Sequence, residues 1–241
     1  MLHSSLSRVG FIVNGPLDVI DSVFDIIGES GTLAVPTHTG QLTDPVDWKN
    51  PAIPFEQVAK VRDSIRPFDP NLTIPRNRGI IPQVFLLYPD VIRSTHPLNS
   101  IAAKGKNAKI LTARHPLHRS EGPDSPAGVL YDIGGVILLI GVGLEACTGL
   151  HLAEYIVDVP YLSNTSIKVL IDDVDGRRFE KLNRYPNTSE HFNKIKPDLF
   201  SVGALHEISI GNTIATLIDF RTAVDIAVSK LRNDPYYLIS D

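Results

Sequence analysis

Apolar residues recur along this chain in runs whose spacing alternates between that of a helix and that of a strand. Between residues 14 and 28 they stand three and four positions apart, which is typical of an amphipathic helix, and Pro16 suits its first turn. The continuous apolar run 32–35 predicts a buried strand. By the same reasoning we predict strands over 91–93, 135–141, 167–171 and within 208–218, and helices over 58–65, 127–132, 148–157 and 219–231. Strands that alternate with helices indicate a layered α/β fold.

The segment from Pro36 to Pro82 interrupts this pattern with eight prolines and little periodicity. A loop of this length inside a compact domain usually has a function or is disordered. Because Trp48, Phe55 and Phe68 give it apolar groups to bury, we expect it to pack as an ordered flap that lines a site. Residues 36–82 are called the flap below.

The length of 241 residues suits one α/β domain, or at most two small ones, and we expect a single domain over residues 1–241. The composition, with 43% hydrophobic and 21% charged residues, is that of an ordinary globular protein. A net charge of −4 and the lack of a Lys/Arg run argue against nucleic acid. The longest apolar stretch, 136–140, is too short to span a membrane, and no secretory signal is visible, so we expect a cytoplasmic protein. The single cysteine, Cys147, excludes an internal disulfide and a CxxC zinc site.

The segment around His151 carries the most chemical information. An apolar strand ends in a glycine-rich turn, and Thr148 is placed to cap the helix that follows. His151 then lies in the first turn, with Glu154 and Tyr155 on the same face. A helix amino terminus disfavours imidazolium and keeps the ring basic, while Glu154 can fix its tautomer. These features suit His151 to the role of a general base.

Three other interpretations of these motifs stay open at this point. His151 and Glu154 can be a hydrogen-bonded core histidine and a solvated carboxylate. The spacing Gly141-x-Gly143-x-x-Ala146 after a strand is a relaxed form of a dinucleotide fingerprint. Finally, His96, His115 and His118 could form the metal site of a hydrolase, although Pro97 and Pro116 interrupt any helix that would align them.

Seven blocks of sequence, taken in order, resemble the aminoglycoside 3-N-acetyltransferase family, the antibiotic N-acetyltransferases. They are His3-Ser4-Ser5-Leu6-Ser7 with Gly10; Gly31-Thr32-Leu33 with Pro36-Thr37; Trp48-x-Asn50-Pro51; Phe68-Asp69-Pro70; Arg93-Ser94-x-His96-Pro97 with Ser100, Ala102-Ala103 and Gly105; His115 with Gly122-Pro123-Asp124-Ser125-Pro126; and Leu150-His151-Leu152-Ala153-Glu154. The resemblance spans nearly the whole chain.

This resemblance implies a three-layer α/β/α fold with a central mostly parallel or mixed sheet. It also implies acetyl transfer from acetyl-CoA to an amine, the 3-amino group of an aminoglycoside or a similar amine, with neither metal nor covalent enzyme intermediate. The family's catalytic histidine corresponds to His151. Residues that match regions associated with CoA are His3, Ser4, Ser5, Leu6, Pro36, Thr37, His96 and Ser100.

The remaining site assignments are candidates chosen by charge. Glu154 is the acid that we expect to orient His151, and Asp69, Glu190 and Asp198 are candidate carboxylates for a cationic substrate. The flap sequence 74–79 is more basic than is usual in this family, which places antibiotic specificity in question. A silent CoA-binding protein of the same fold is therefore the alternative function, and a homodimer is the assembly that we consider.

Overall fold

The computed structural model describes residues 1–183 and 189–240, which form a mixed α/β structure. Its strands are β1 (Leu2–Ser4), β2 (Thr32–Pro36), β3 (Ile92–Arg93), β4 (Ile101–Gly105), β5 (Val136–Ile140), β6 (Ser166–Asp173), β7 (Gly176–Asn183), β8 (Leu205–Ile210) and β9 (Thr213–Asp219). Its α-helices are α1 (Pro16–Ile27), α2 (Val58–Ser64), α3 (Ile81–Phe85), α4 (Ala108–Ala113), α5 (Pro126–Asp132), α6 (His151–Val157), α7 (Lys196–Ser201) and α8 (Phe220–Asn233).

The strands pair in three groups, in the orders β1-β5-β9-β8, β2-β4-β3 and β6-β7. β1 runs parallel to β5, with His3 opposite Leu139, while β9 runs antiparallel to β5 and β8 antiparallel to β9. The sheet that contains β1 is therefore mixed. Because β1 and β5 are parallel, their carboxyl ends meet at one edge, where the Ser5 amide donates to the Ile140 carbonyl at 2.8 Å.

Apolar side chains lie on both faces of these strands. Alternate residues of β5 contribute to different clusters: Ile137 and Leu139 pack with residues of α6 and α8, whereas Ile140 packs with Leu2, Ile20 of α1 and Phe85 of α3. The period-two alternation of a strand separates the two sets. Helices therefore cover the strands from both sides and leave the strand ends to form a site.

The sequence pattern located most of these elements. The helix predicted over 14–28 spans Pro16–Ile27, and the carboxyl-terminal helix begins after Asp219, whose side chain accepts the amide hydrogen of Thr222. The single strand predicted within 208–218 is a hairpin, because Gly211 and Asn212 form a two-residue turn between β8 and β9. β1, α3, α4, β4, α7 and β7 were not predicted.

The flap is ordered by polar contacts more than by its aromatic residues. Arg62 binds both oxygens of the buried Asp44 at 2.8 Å, and the indole of Trp48 donates to Thr43. The expectation that Phe55 packs was wrong, since its side chain is 87% exposed.

No helix among the described residues combines the length and the apolar character needed to cross a bilayer.

Candidate active site

A cleft of about 400 Å³ opens where β1 and β5 end. Its walls come from four segments: β1 and the turn after it, the end of β2, the flap, and the turn after β5. The lining residues are Leu2, His3, Ser4, Ser5, Leu6, Ser7, Val35, Pro36, Asn77, Arg78, Gly79, Ile80, Ile81, Pro82, Val142 and Ala146. Five predicted CoA contacts, His3, Ser4, Ser5, Leu6 and Pro36, thus line one cavity.

His3 lines this cleft and also carries a buried polar atom. Its side chain is 8% exposed, and its Nε2 atom has no hydrogen-bond partner among the described residues. Burial lowers the pKa of His3 to about 3, and the positive amino terminus and Arg78 add to that effect. The ring is therefore neutral at physiological pH. A buried nitrogen without a partner costs about 1–3 kcal/mol, which a ligand with a complementary group would recover.

The flap closes over β1 at Gly79. Gly79 adopts a φ of +73°, and a Cβ atom there would lie 3.6 Å from the Ser4 carbonyl oxygen. A positive φ favours glycine, so this position lets the flap follow the β1 backbone closely. Beside it, the Arg78 guanidinium lies 2.6 Å from Nδ1 of His38. The cleft therefore has a cationic side chain on the wall opposite its serines.

His151, Glu154 and Tyr161 form an acid–base cluster at the start of α6. The His151 Nδ1 atom lies 2.5 Å from Glu154 Oε2, and the Tyr161 hydroxyl donates to Glu154 Oε1 at 2.7 Å. All three side chains are buried, and burial together with the Glu154 charge raises the pKa of Tyr161. Tyr161 therefore stays a donor, and the carboxylate holds the His151 ring through its Nδ1 atom, which fixes the orientation of the ring.

The surroundings of this cluster differ from the prediction in three respects. Thr148 makes no capping hydrogen bond, because residues Thr148–Leu150 form a 3-10 turn and α6 begins at His151 itself. The His151 ring is 1% exposed and meets the edge of the Phe192 ring at a centroid distance of 4.8 Å. His151 lines none of the described cavities. Tyr155, predicted on the same polar face, is buried beneath Arg119.

Thr37, Ser100 and His96 lie behind the cleft wall. Nε of Arg93 donates to the hydroxyls of Thr37 and Ser100 at 3.0 and 3.1 Å. Nδ1 of His96 accepts the amide hydrogens of Leu98 and Asn99, both at 3.0 Å. The polar groups of these three residues thus make hydrogen bonds within the protein. Their contact with CoA stays a prediction.

The histidines of the alternative metal site have their ring nitrogens in hydrogen bonds. Nε2 of His96 donates to the Leu117 carbonyl, and His115 lies between the Ser94 hydroxyl and the Ser120 carbonyl. With both nitrogens bonded in each ring, the pair connects the loop after β3 to the loop between α4 and α5, and His118 is exposed. Across the described residues, no three His, Cys, Asp or Glu side chains are placed to hold a metal ion.

The dinucleotide fingerprint also lacks its structural context. The turn after β5 leads into a 3-10 segment, Leu144–Ala146, instead of an α-helix. The Gly143 amide, which would face a pyrophosphate, donates to Glu145 Oε1 at 2.9 Å. Because that donor is occupied, the turn does not form the phosphate site of the fingerprint.

The candidate substrate carboxylates lie in different environments. Asp69 accepts the amides of Asn71 and Leu72 within the flap and lines a second cavity of about 590 Å³, together with Trp48 and Phe68. Glu190 is exposed, and Asp198 is paired with Lys230 at 3.0 Å. No described cavity brings the three together, and their role in substrate binding stays a prediction.

Sequence reasoning missed Tyr161 and Phe192, which contact the Glu154 and His151 side chains. Neither could be recognised, because each is a lone aromatic residue that only the fold brings to α6. Cys147 is also nearby in sequence, but burial raises the pKa of its thiol to about 12, so it remains protonated and unsuited to nucleophilic attack.

Several known proteins are similar to this chain in both sequence and fold. The prophage-derived aminoglycoside N(3')-acetyltransferase-like protein YokD of Bacillus subtilis is 31% identical over 230 residues, which cover 94% of this chain and 83% of YokD. The crystal structure of YokD matches at a TM-score of 0.86 and 30% identity, over 97% of this chain and 86% of that one. Aminoglycoside N(3)-acetyltransferase VII of Streptomyces paromomycinus is 32% identical over 243 residues, 95% of this chain and 83% of the relative.

Two further solved structures carry ligands. The binary complex of AAC-IIIb with CoASH has a TM-score of 0.81 at 27% identity, over 97% of this chain and 89% of that chain. A mutant of aminoglycoside acetyltransferase AAC(3)-IVa in complex with apramycin has a TM-score of 0.80 at 28% identity, over 98% of this chain and 85% of that chain. The family described as aminoglycoside 3-N-acetyltransferase matches residues 1–232. This chain belongs to the aminoglycoside 3-N-acetyltransferase family.

Proposed function

We propose that this protein transfers the acetyl group of acetyl-CoA to an amino group of an aminoglycoside, the 3-amino group of its 2-deoxystreptamine ring, or of a similar amine. The observation that carries the proposal is the coexistence, in a member of this family, of the cleft lined by His3 with the acid–base cluster of His151, Glu154 and Tyr161. A thioester transfer to an amine needs a groove for a long acyl carrier and a base for the ammonium proton.

The cleft suits the acyl carrier chemically. Pantetheine is a narrow chain with two amides, and the residues that line the cleft include short hydroxyl side chains, His3 and Arg78. A relative of the same fold is solved with CoASH. We assign acetyl-CoA, as co-substrate, to this cleft. No residue in it is assigned to a metal.

His151 is the proposed general base. With Nδ1 bonded to Glu154, Nε2 takes the proton of the substrate ammonium, and the amine then attacks the thioester carbon. The resulting tetrahedral intermediate collapses as the carbon–sulfur bond breaks and the CoA thiolate leaves. The second proton of the attacking nitrogen passes to the thiolate, so that CoA is released as the thiol and the acetyl group remains on the amide nitrogen. The carboxylate of Glu154 stabilises the imidazolium that forms, as the acid of a catalytic triad does.

Acceptor recognition is assigned to the flap side of the molecule. Asp69 lines the cavity of about 590 Å³, and a relative is solved with apramycin. We retain Asp69, Glu190 and Asp198 as candidate carboxylates. The helices on both faces of the strands support our assignment of a three-layer α/β/α arrangement, and a cytoplasmic location stays our prediction.

The burial of His151 favours a second candidate, a CoA-binding protein without turnover. An acceptor amine has to reach a ring that is 1% exposed and covered on one edge by Phe192. If this cover is permanent, the protein would bind CoA and leave amines unchanged.

The two functions are separated by a thiol-release assay with acetyl-CoA and a panel of aminoglycosides and simpler amines. The proposed function predicts release of CoA that depends on the amine, with mass spectrometry showing one added acetyl group and NMR placing it on the 3-amino nitrogen. A thermal shift with CoA but no release with any amine would support the second candidate.

A further inference from the structure

Arg93 lies behind the cleft and contacts two of the segments that form it. It is the last residue of β3, and the residue is 8% exposed. Burial lowers the pKa of Arg93 to about 10, which still leaves the guanidinium charged at neutral pH, and the Asp69 charge opposes the effect of burial. A buried charge is tolerated only when its donors are bonded, so the partners of this group matter.

The guanidinium donates to the end of β2 on one side. Nε bonds to the hydroxyls of Thr37 and Ser100, and Nη2 bonds to the Thr37 carbonyl at 2.7 Å. Thr37 directly follows Pro36, which lines the cleft. These bonds therefore fix the backbone at the β2 wall.

On its other side the same group holds the flap. Nη1 donates to the carbonyls of Pro70 and Thr73, and the guanidinium lies over the Phe68 ring, 4.9 Å from its centroid. From Thr73 the flap continues to Arg76, whose amide donates to the His38 carbonyl at 3.1 Å, and then to the wall formed by residues 77–82. One side chain thus links Thr37, where β2 ends and the flap begins, to the later part of the flap, residues 68–82.

We propose that Arg93 is a positioning residue for acyl-CoA: it sets the separation between the β2 wall at Pro36 and the flap wall at Gly79. The inference rests on the proposed function, because it assigns the cleft to the co-substrate. A planar guanidinium can satisfy five acceptors at once, which an ammonium group with three donors cannot do. Replacing the guanidinium by an ammonium group would therefore keep the positive charge but lose the hydrogen bonds to one of the two walls.

The test is Arg93→Lys, measured for both substrates. We expect the KM for acetyl-CoA to rise about tenfold while kcat at saturating acetyl-CoA stays within about twofold, because a loosened wall weakens co-substrate binding and leaves the acid–base cluster intact. The Kd for CoA, measured by calorimetry, should rise by a similar factor. Proteolytic cleavage within the flap should be faster in the variant and should slow again when CoA is added.

The matched control is Arg62→Lys, the same change in the flap at a residue that bonds Asp44 and does not line the cleft. It should leave the KM for acetyl-CoA within about twofold, so that a general loosening of the flap is distinguished from a change at the cleft. If Arg93→Lys does not fold, Phe68→Leu removes the aromatic face beneath the guanidinium and should raise the same KM about two- to threefold.

Two results would overturn the inference, and they differ from failure of the proposed function. Equal acetyl-CoA KM values for wild-type protein and a folded Arg93→Lys variant would show that Arg93 has a structural role only. A fall in kcat with unchanged KM would also contradict it. Wild-type protein that neither binds CoA nor releases thiol would instead remove the proposed function, and the inference with it.

Discussion

The cleft around His3 and the cluster around His151 both contain a buried histidine, but the two rings differ in the hydrogen bonds that their nitrogens make. His3 lines a cavity, and its buried Nε2 atom has no hydrogen-bond partner among the described residues. His151 is held at 2.5 Å by a buried carboxylate that is itself bonded by Tyr161. A polar atom left unbonded beside a cavity is suited to bind a ligand, whereas an oriented ring with a carboxylate partner is suited to move a proton.

Under the proposed function, binding and proton transfer belong to different elements. The proposed binding groups lie at the ends of β1 and β2 and in the flap, and the proposed proton-transfer groups lie in α6 and the turn after it. Substitutions in the two regions should therefore affect different kinetic constants.

His151→Ala should have the largest effect. Removing the base should lower kcat by at least about 100-fold, since positioned general-base catalysis contributes about 10²–10⁴-fold. The protein should remain folded and should bind CoA within about twofold of the wild-type affinity. We would check this with thiol release, circular dichroism and calorimetry. Retention of wild-type kcat would remove the assignment of His151 as the base.

Glu154→Gln should have the next largest effect. The glutamine keeps the shape of the side chain: its oxygen can still accept from His151, and its NH2 group can donate to the Tyr161 hydroxyl oxygen. It removes the charge that stabilises the imidazolium, so kcat should fall about 10- to 100-fold with little change in either KM. Glu207→Gln is the matched control, because that partly exposed carboxylate pairs with Lys196 at 2.8 Å, away from α6. Equal kcat values for the two variants would contradict the role of Glu154.

His3→Phe should change the KM for acetyl-CoA instead of kcat. Phenylalanine keeps an aromatic ring, larger than imidazole, while the polar nitrogens are lost, so the KM for acetyl-CoA should rise about tenfold and kcat should stay within about threefold. The exposed His206→Phe serves as control. A fall in kcat alone would place His3 with the chemistry instead of with binding.

The smallest predicted effect concerns the pH dependence of stability, at the buried and hydrogen-bonded His96. Burial lowers the pKa of His96 to about 4, so the native state stays neutral where the unfolded chain, with a histidine pKa near 6.5, takes up a proton. Its contribution to stability is complete above pH 6.5 and is lost as the pH falls toward 4, at up to about 1.4 kcal/mol per pH unit.

His96→Asn should reduce that dependence. An amide oxygen can accept the Leu98 and Asn99 hydrogens in place of Nδ1 but does not titrate, so unfolding free energies measured between pH 7.5 and 5 should fall less steeply than in the wild type. Parallel curves for the two proteins would show that His96 does not contribute to the slope.

The sequence predicted the elements that have a clear period, and it failed where a partner strand supplies the stability. α1 and α8 have apolar residues at helical spacing and were found within a few residues of their ends. β7, with the sequence Gly176–Asn183, is largely polar and half-exposed, and it forms a strand because β6 lies alongside it. Such a strand has no pattern of its own to recognise.

The site divides in the same way. The serine-rich block at β1 and the His-x-x-Glu spacing are visible in the sequence, and they indicated the cleft segment and the pair of His151 and Glu154. The role of Arg93 could not be derived from the sequence, because its five acceptors lie in three separate segments and four of them are 20 or more residues away. Tyr161 and Phe192 reach α6 only through the packing of the fold.

The assignment of the cleft to CoA, on which the contrast depends, can be tested most directly by NMR. Protein labelled with ¹⁵N in its histidines would be titrated with CoA, and His3→Phe would identify the His3 signals. We predict that the ring nitrogen signals of His3 shift and saturate with the same Kd that calorimetry gives. Saturable CoA binding that leaves the His3 signals unchanged would contradict the account.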